Sequence, residues 1–531
     1  MNQITLCGIP AIWYSVKHGD SDAEEHAAHV LISHFEKINR QPFVGGSGKI
    51  ELFIDPEMQE PDSFSIKNQK GLLQIKGSNG RGLLYGVYDL LETYLGARFF
   101  CPGVEKIGEA TDIPAFQKEC TPCFEYRQLD WFSASDADWC VANHINHFSS
   151  LMDEPHGGHI KWGGFVHTMS AITGCDRRTQ PCLSDPAVLE QAISYVRNIL
   201  EKDSTINLIS VSQNDNQRFC TCSQCAAVDE AEGSHMGTLL RFVNAVAENI
   251  QDDYPHVAIE TLAYRYTRKP PQITKPLPNV VIRLCSIECC FSHPLSDESC
   301  HHNYQFKHDI EEWSKICNRL YIWDYVTNFA FYIPTFPNFG VLRENMRFYA
   351  LHHVKGMYPE GNYESISGEF GELRAYLLAK LMWDPLMTEQ TYQQHMDEFL
   401  EAYYGAGWRY IRAYLDLIVS RVRHEHMRIY DSPFEFISEE TYKALYDTIE
   451  ELWNKAEAFA GDRIDAVKRS RLQWKYLSLC VKPNYQEGRE FYDFINASNI
   501  HWRESIHRQP DDEDFAKPPF EWKFRHWKNG Y

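Results

Sequence analysis

No stretch of about 18 consecutive apolar residues occurs in this sequence, so no segment reads as a bilayer-spanning helix. An excess of positive charge is missing as well: 52 Lys and Arg stand against 73 Asp and Glu, a formal net charge of −21. That balance repels a polyanion and argues against nucleic acid as a partner. The opening residues, MNQITLCGIPAIWYSVKHG, have neither the basic start nor the apolar core of a leader peptide. The expected location is therefore the cytoplasm if Met1 is the true start, and the periplasm or cell surface if a leader was trimmed. Several catalytic signatures are lacking: there is no Walker motif, no Gly-x-Ser-x-Gly elbow and no His-Glu-x-x-His helix. Gly80 and Gly82 do not start a dinucleotide fingerprint, because the glycines that follow are wrongly spaced.

What is present is a long chain with many rings. At 531 residues it is too long for one core, and two or three domains are expected. Aromatic content is 14%, with 13 Trp and 29 Tyr. Rings bury large flat areas in cores and also stack on sugar faces. The 16 cysteines are dispersed through the chain rather than framing a small disulfide scaffold.

Three regions are expected. Residues 1–118 read as a small α/β domain, with strands at 4–14, 49–55 and 71–77 and a helix at 22–38. A second helix follows Ser78, Asn79 and Gly80, with Leu83, Leu84, Val87, Leu90, Leu91 and Leu95 on its apolar side. Gly96 is placed to cap that helix in the left-handed conformation. Residues 119–385 alternate strand and helix. Strands are expected at 126–130, 147–152, around 163–167 or 180–183, 206–211, 257–264, 280–285, 320–325 and 355–358. Helices are expected at 186–200, 237–250, 306–317 and 342–352. That order and size match a (β/α)8 TIM barrel. Residues 386–531 read as a helical C-terminal region ending in a polar, Pro-rich tail, PDDEDFAKPPFEW.

Chemistry concentrates in the stretch NLISVSQNDNQRFCTCSQC, residues 207–225, where an apolar strand ends in acid, amides and thiols. In a barrel, active residues sit at the C-terminal ends of strands. Those ends present Asp130 and Trp131, then Gly164, Phe165, Val166 and His167, then Asn214 and Asp215, Tyr264 and Glu288. The last two strands add Trp323, Asp324 and Tyr325, then Glu360, Asn362 and Tyr363, with Asn328 close by. Carboxylates, amides and aromatic faces together are what a sugar site needs. Cys220, Cys222 and Cys225 have metal-like spacing, with Cys285, Cys289, Cys290, Cys300, His301 and His302 as candidates to complete a set. A structural zinc, a disulfide and free thiols all remain open for them, and no cofactor is required for the chemistry.

Beyond this reading, RGLLYGVYDLLETYLGARFFCPG resembles the α/β domain that precedes the barrel in bacterial hexosaminidases and α-glucuronidases. ISVSQNDNQRFCTCSQCAAVDEAEGSHMGTLLRFVNAVAENI, VIRLCSIECCFSHPL, YIWDYVTNFAFYIPTFPN, KGMYPEGNY and LRAYLLAKLMWDP are similar to blocks of glycoside hydrolase family 163. The resemblance spans residues 70–400. It implies a gut-Bacteroidetes-type endo-β-N-acetylglucosaminidase that cuts the chitobiose core of N-glycans, with a glycan or glycoprotein as partner. The implied mechanism is retaining and substrate-assisted, the 2-acetamido oxygen replacing an enzyme nucleophile. Asn214, Asp215, Glu288 and Glu360 are the catalytic candidates this implies. His167, Tyr264, Trp323, Asp324, Tyr325, Asn328 and Asn362 are the substrate-binding ones. Two other readings remain: an exo-acting hexosaminidase- or α-glucuronidase-like enzyme, and a non-catalytic glycan-binding barrel.

Overall fold

The structure is a computed structural model that describes residues 3–147, 152–482 and 484–502. Its N-terminal part is a five-stranded sheet in the order Phe116–Cys120, Phe64–Gln69, Leu72–Gly77, Gly48–Ile54, Tyr14–His18. Helices Asp22–Asn39 and Gly80–Leu95 pack together beside it. Local chemistry sets both helix ends. Ser21 and Glu24 form a capping box at the first, and the Asn79 side chain accepts from the Gly82 N–H at the second. Gly96 closes the second helix at φ 70°, as its sequence position predicts.

Two expectations for this part need correction. The strand expected at 4–14 is a short hairpin, Thr5–Leu6 against Ile9–Pro10, because Cys7 and Gly8 both take positive φ. A 3-10 turn then leads into Tyr14–His18. The strand Phe64–Gln69 was not anticipated, since Asn68 takes an inward position usually held by an apolar residue. Its amide is satisfied by donating to the Ile113 and Pro114 carbonyls.

The central region holds a six-stranded, wholly parallel sheet. Its order is Tyr126–Arg127, Gly356–Glu360, Leu320–Tyr325, Val280–Cys285, Ala258–Ala263, Leu208–Ser210. At one edge Gln128 pairs in parallel with His147, and at the other Trp162 pairs in parallel with Leu208. The Ile160 N–H donates to the Asn146 carbonyl at 3.2 Å, joining the segments that carry these two pairings. Most of the strand expected at 147–152 lies outside the described residues. The other uncertain pairing is made by Trp162, ahead of both expected positions, while residues around 180–183 form a loop. Helices Pro186–Lys202, Met236–Ile250, His301–Ile316 and Leu342–Leu351 lie between the strands, near their expected positions.

Helices Glu389–Tyr404, Trp408–Val422, Glu439–Phe459, Leu472–Val481 and Tyr485–Ala497 make up the C-terminal region. It packs on the sheet-bearing part through ring contacts such as Phe370 against Trp453 and Phe331 against Trp502. The expected extended tail lies outside the described residues. Among the described residues, no helix is long and apolar enough to cross a membrane.

A buried carboxylate, together with hydrogen bonds such as Tyr85 to the Ile145 carbonyl and Asn143 to the Phe99 carbonyl, ties the first two regions together. Asp62, 2% exposed, receives Arg81 Nε at 2.9 Å, Arg127 Nη2 at 2.9 Å and Asn146 Nδ2 at 2.8 Å. Burial opposes its charge, but the two guanidiniums prevail and hold the carboxyl well below the usual range. Arg127 is itself fully buried on the first strand of the parallel sheet. Asp62→Ala would strand both cations, and the expected loss is about 3–5 kcal/mol of unfolding free energy in denaturant titrations. An unchanged midpoint would refute this account of the junction.

Candidate functional site

Successive residues of a strand face opposite sides of its sheet, so one parity of each parallel strand lines the interior. Here that parity comprises Tyr126, Gln128 and Asp130; Ala258, Glu260 and Leu262; Val281, Arg283 and Cys285; Tyr321, Trp323 and Tyr325; and Tyr358 with Glu360. Tyr126, Leu208, Ala258, Val281 and Tyr321 pack together as the lower plug. Above them Arg283 pairs with Glu260 at 3.2 Å, both 0% exposed. The guanidinium lies 4.6 Å from the Trp162 ring centroid, 5.1 Å from Phe165, 5.5 Å from Tyr358 and 5.7 Å from Trp323.

Over this layer, at the C-terminal ends of the strands, opens a cleft of about 630 Å³. Asp130, His167, Asp215, Tyr264, Trp323, Tyr325, Tyr358 and Glu360 all line it. Of the strand-end residues predicted from sequence, Asp130, Phe165, Val166, His167, Asp215, Tyr264, Trp323, Tyr325, Glu360 and Tyr363 therefore meet there. Trp323 donates its indole N–H to Glu360 Oε2 at 2.8 Å, and Tyr358 donates its phenol to Asp130 Oδ2 at 2.6 Å. Asp130 and Glu360 are parallel bridge partners on adjacent strands, so two carboxylates sit side by side. Asp215 is exposed and accepts the Tyr264 hydroxyl at 3.2 Å. Burial, reinforced by Asp215, pushes the Tyr264 phenol up and keeps it a donor. The Tyr358 phenol is raised in the same way by burial and by the charges of Asp130 and Glu360.

The turn after Glu360 requires glycine. A Cβ on Gly361 would lie 2.0 Å from Cε2 of Trp131. His167 is held at φ 54°, its N–H donating to Ser212 Oγ at 2.8 Å and its Nδ1 2.7 Å from the Gln213 carbonyl. Both contacts anchor the imidazole at the rim.

The other predicted residues are placed elsewhere, and parity or loop bonding explains each. Asp324 falls on the outward parity between Trp323 and Tyr325, buried and accepting from Ser286 Oγ at 2.7 Å and its neighbour's N–H at 3.1 Å. Asn214 is 1% exposed: its Oδ1 accepts the Ser170 N–H, and its Nδ2 donates to the Thr179 carbonyl. Asn328 accepts the N–H groups of Ala330 and Phe331 and donates to the Asp431 carbonyl. Asn362 folds its own loop by accepting from Glu364 and Ser365. Glu288 lies outside this cleft, pairing with Arg268 at 2.6 Å and lining a neighbouring cavity of about 800 Å³. That cavity shares Ile287 and Tyr430 with the first, so the two are adjacent.

Sequence reading missed Gln128, Tyr358 and Tyr430 as lining residues. Alternation back from Glu360 reaches Tyr358, and back from Asp130 reaches Gln128. No local signal marks Tyr430, which comes from the segment after helix Trp408–Val422.

Cys220, Cys222 and Cys225 gather with a fourth thiol, Cys182, their sulfurs all within 4.8 Å of one another. The partners considered from sequence do not complete this set. Cys182 lies 3.7 Å from Cys222 and 3.8 Å from Cys225. Four thiolates at about 2.3 Å from a tetrahedral zinc would be about 3.8 Å apart, so the donor set fits that ion.

A family model described as "Domain of unknown function (DUF4838)" matches residues 109–416. The chain belongs to that family. No curated protein matches the sequence. Among solved structures, it is similar to a "GH138 enzyme targeting pectin rhamnogalacturonan II". The TM-score is 0.54 at 10% identity, covering 91% of this chain and 72% of that one. It is also similar to a family GH115 4-O-methyl-α-glucuronidase described as having "specificity for decorated arabinogalactans". Here the TM-score is 0.57 at 10% identity, with 92% of this chain and 76% of that one covered. At this identity the likeness is one of fold: the DUF4838 chain shares the overall architecture of these two proteins.

Asp324 also has a measurable consequence. Burial raises its carboxyl from 3.8 to about 6, only partly offset by the Ser286 hydroxyl, the Tyr325 N–H and Tyr349. An acid raised on folding favours the native state below its unfolded value near 4, and that advantage is lost as pH rises through about 6. Asp324→Asn is therefore expected to flatten the fall in stability between pH 4 and 7. It should be more stable than wild type at pH 7, by up to roughly 3 kcal/mol. Parallel denaturant curves at the two pH values check this, and equal slopes with pH in both proteins would overturn it.

Proposed function

We propose that this protein is a glycoside hydrolase acting on N-glycans, an endo-β-N-acetylglucosaminidase working by a retaining, substrate-assisted route on a (β/α)8 barrel. The observation that carries the reading is one open cleft at the strand ends, combining Asp130, Asp215 and Glu360 with the rings of Trp323, Tyr325 and Tyr358. The bridges at His147 and Trp162, with the Ile160 to Asn146 hydrogen bond, support eight-fold closure of the six-stranded sheet. The blocks resembling glycoside hydrolase family 163, and the fold shared with two glycosidases, support the reaction class.

Substrate assistance needs one group to protonate the leaving oxygen and another to orient the acetamide N–H. Glu360 takes the first role. It is buried, with the Asp130 carboxylate on the adjacent strand, the surroundings a general acid needs. Asp215 takes the second, exposed at the rim and steadied by Tyr264. Asn214, spent on loop hydrogen bonds, has no part in this division of labour. Aromatic faces at Trp323 and Tyr325 provide stacking surfaces for sugar rings. The adjacent cavity past Ile287 and Tyr430 favours an internal cut, since an exo-enzyme closes its site with an end wall.

Glu360→Gln and Asp215→Asn are each expected to lower turnover of an N-glycoprotein by at least about 100-fold. Mass spectrometry of the wild-type reaction should show glycans released with a single reducing-end N-acetylglucosamine. Monosaccharide release would favour the exo reading, and no release at all would favour a binding barrel.

The same reading gives Cys182, Cys220, Cys222 and Cys225 a structural zinc that braces the loop presenting Asp215. Cys222→Ser with Cys225→Ser should lose about one zinc equivalent by elemental analysis. Metal content equal to wild type would remove the ion from this account.

A further inference from the structure

A second cluster of soft donors lies at a different place in the fold. Cys290, His293, Cys300 and His426 bring two thiols and two imidazoles together, with their ligand atoms all within 4.8 Å of one another. The first three come from the loop after strand Val280–Cys285 and from the residue that begins helix His301–Ile316. His426 comes from the C-terminal region, after helix Trp408–Val422. Cys290 and Cys300 are buried, at 1% exposure each.

The spacing matches coordination. Cys290 Sγ lies 3.3 Å from His293 Nδ1, and Cys300 Sγ lies 3.8 Å from His426 Nδ1. With Zn–S at about 2.3 Å and Zn–N at about 2.0–2.1 Å, a tetrahedral site has an S···N edge of about 3.6 Å. Both imidazoles offer the same nitrogen, and their rings lie edge to face at 4.9 Å. The loop is built to hold this arrangement. The Asn303 side chain accepts from the Cys290 N–H at 2.8 Å and donates to the Cys290 and His293 carbonyls at 3.1 and 3.0 Å.

We propose that Cys290, His293, Cys300 and His426 bind a structural zinc that staples the C-terminal region to the rim of the parallel sheet. The inference stands on these donors alone and needs no particular enzymatic activity. Its consequence lies next to the cleft. The Phe291 N–H donates to the Met427 carbonyl at 2.7 Å, and the Phe329 N–H to the Ile429 carbonyl at 2.9 Å. The staple therefore fixes residues 427–431, whose Tyr430 lines both the cleft and its neighbouring cavity. His301 and His302 also pack against His426, with ring centroids 4.7 and 4.4 Å away, and form the competing donor set.

The test is zinc K-edge absorption with elemental analysis on the full-length chain expressed in zinc-supplemented medium. With both clusters filled, wild type should hold about two zinc ions, with an average shell of about three sulfurs and one nitrogen. The Cys222→Ser, Cys225→Ser variant should retain about one zinc bound by two sulfurs and two nitrogens. If the four-cysteine site is wrong and this one right, wild type itself should show that two-and-two shell. His426→Ala should lose about one equivalent from whatever wild type holds. Should that variant fail to fold, the wild-type shell decides alone. An all-sulfur shell, a nitrogen-only shell from the histidine trio, or a Cys290–Cys300 disulfide in non-reducing peptide mapping would each overturn the proposal.

Discussion

The cleft depends on a constraint of the parallel strand: neighbours along the chain face opposite ways, and one face of the six-stranded sheet takes only every second residue. That rule puts Trp323, Tyr325, Tyr358 and Glu360 on the inside together and sends Asp324 to the helix side. It also places a full ion pair, Arg283 with Glu260, where no water layer can screen it. Removing two such charges from water costs several kcal/mol per ion, more than their attraction alone reliably returns. The ring of aromatics around Arg283 adds cation–π attraction, worth up to about 2 kcal/mol when desolvated. The pair thus serves as a polar floor. Above it the carboxylates of the cleft are held in fixed orientation by indole and phenol donors.

Loops finish what the strands begin, and polar side chains set their shape. Gln180 accepts the Asn214 N–H and donates to the Asn214 carbonyl. Gln213 donates to the Tyr264 carbonyl, and Thr267 donates to Gln213 at 2.6 Å. These bonds lock the segment on which Asp215 is exposed, and the four-thiol cluster lies just beyond it. The rim is therefore cross-linked by hydrogen bonds around Asp215 and lined by rings at Trp323 and Tyr325.

Much of this was legible in the sequence. The largely apolar runs VVIRLC at 280–285 and LYIWDY at 320–325 locate strands because elements buried on both faces carry few polar residues. Asn79 and Gly96 mark helix ends through side-chain and backbone geometry that acts within a few residues. Asp215, Tyr264 and Glu360 were expected to share one cleft because the C-terminal ends of parallel strands converge on one rim, and all three line it. Asn214, Asn328 and Asn362 were misplaced because an amide at a strand end looks the same whether it binds a ligand or folds its own loop. Only the pattern of hydrogen bonds around it separates the two cases.

By itself, the sequence determined the alternation of strands and helices, the class of chemistry gathered at their ends, and the local caps and turns. All of these depend on residues close together in the chain. Tertiary structure alone decided which side chains share a space. Cys182 joins Cys222 across 40 positions, and His426 reaches Cys300 across 126. Tyr430 enters the cleft from the helical region, and Asp62 meets Arg127 across 65 residues. No periodicity or spacing encodes such meetings, because they are fixed by how whole elements pack.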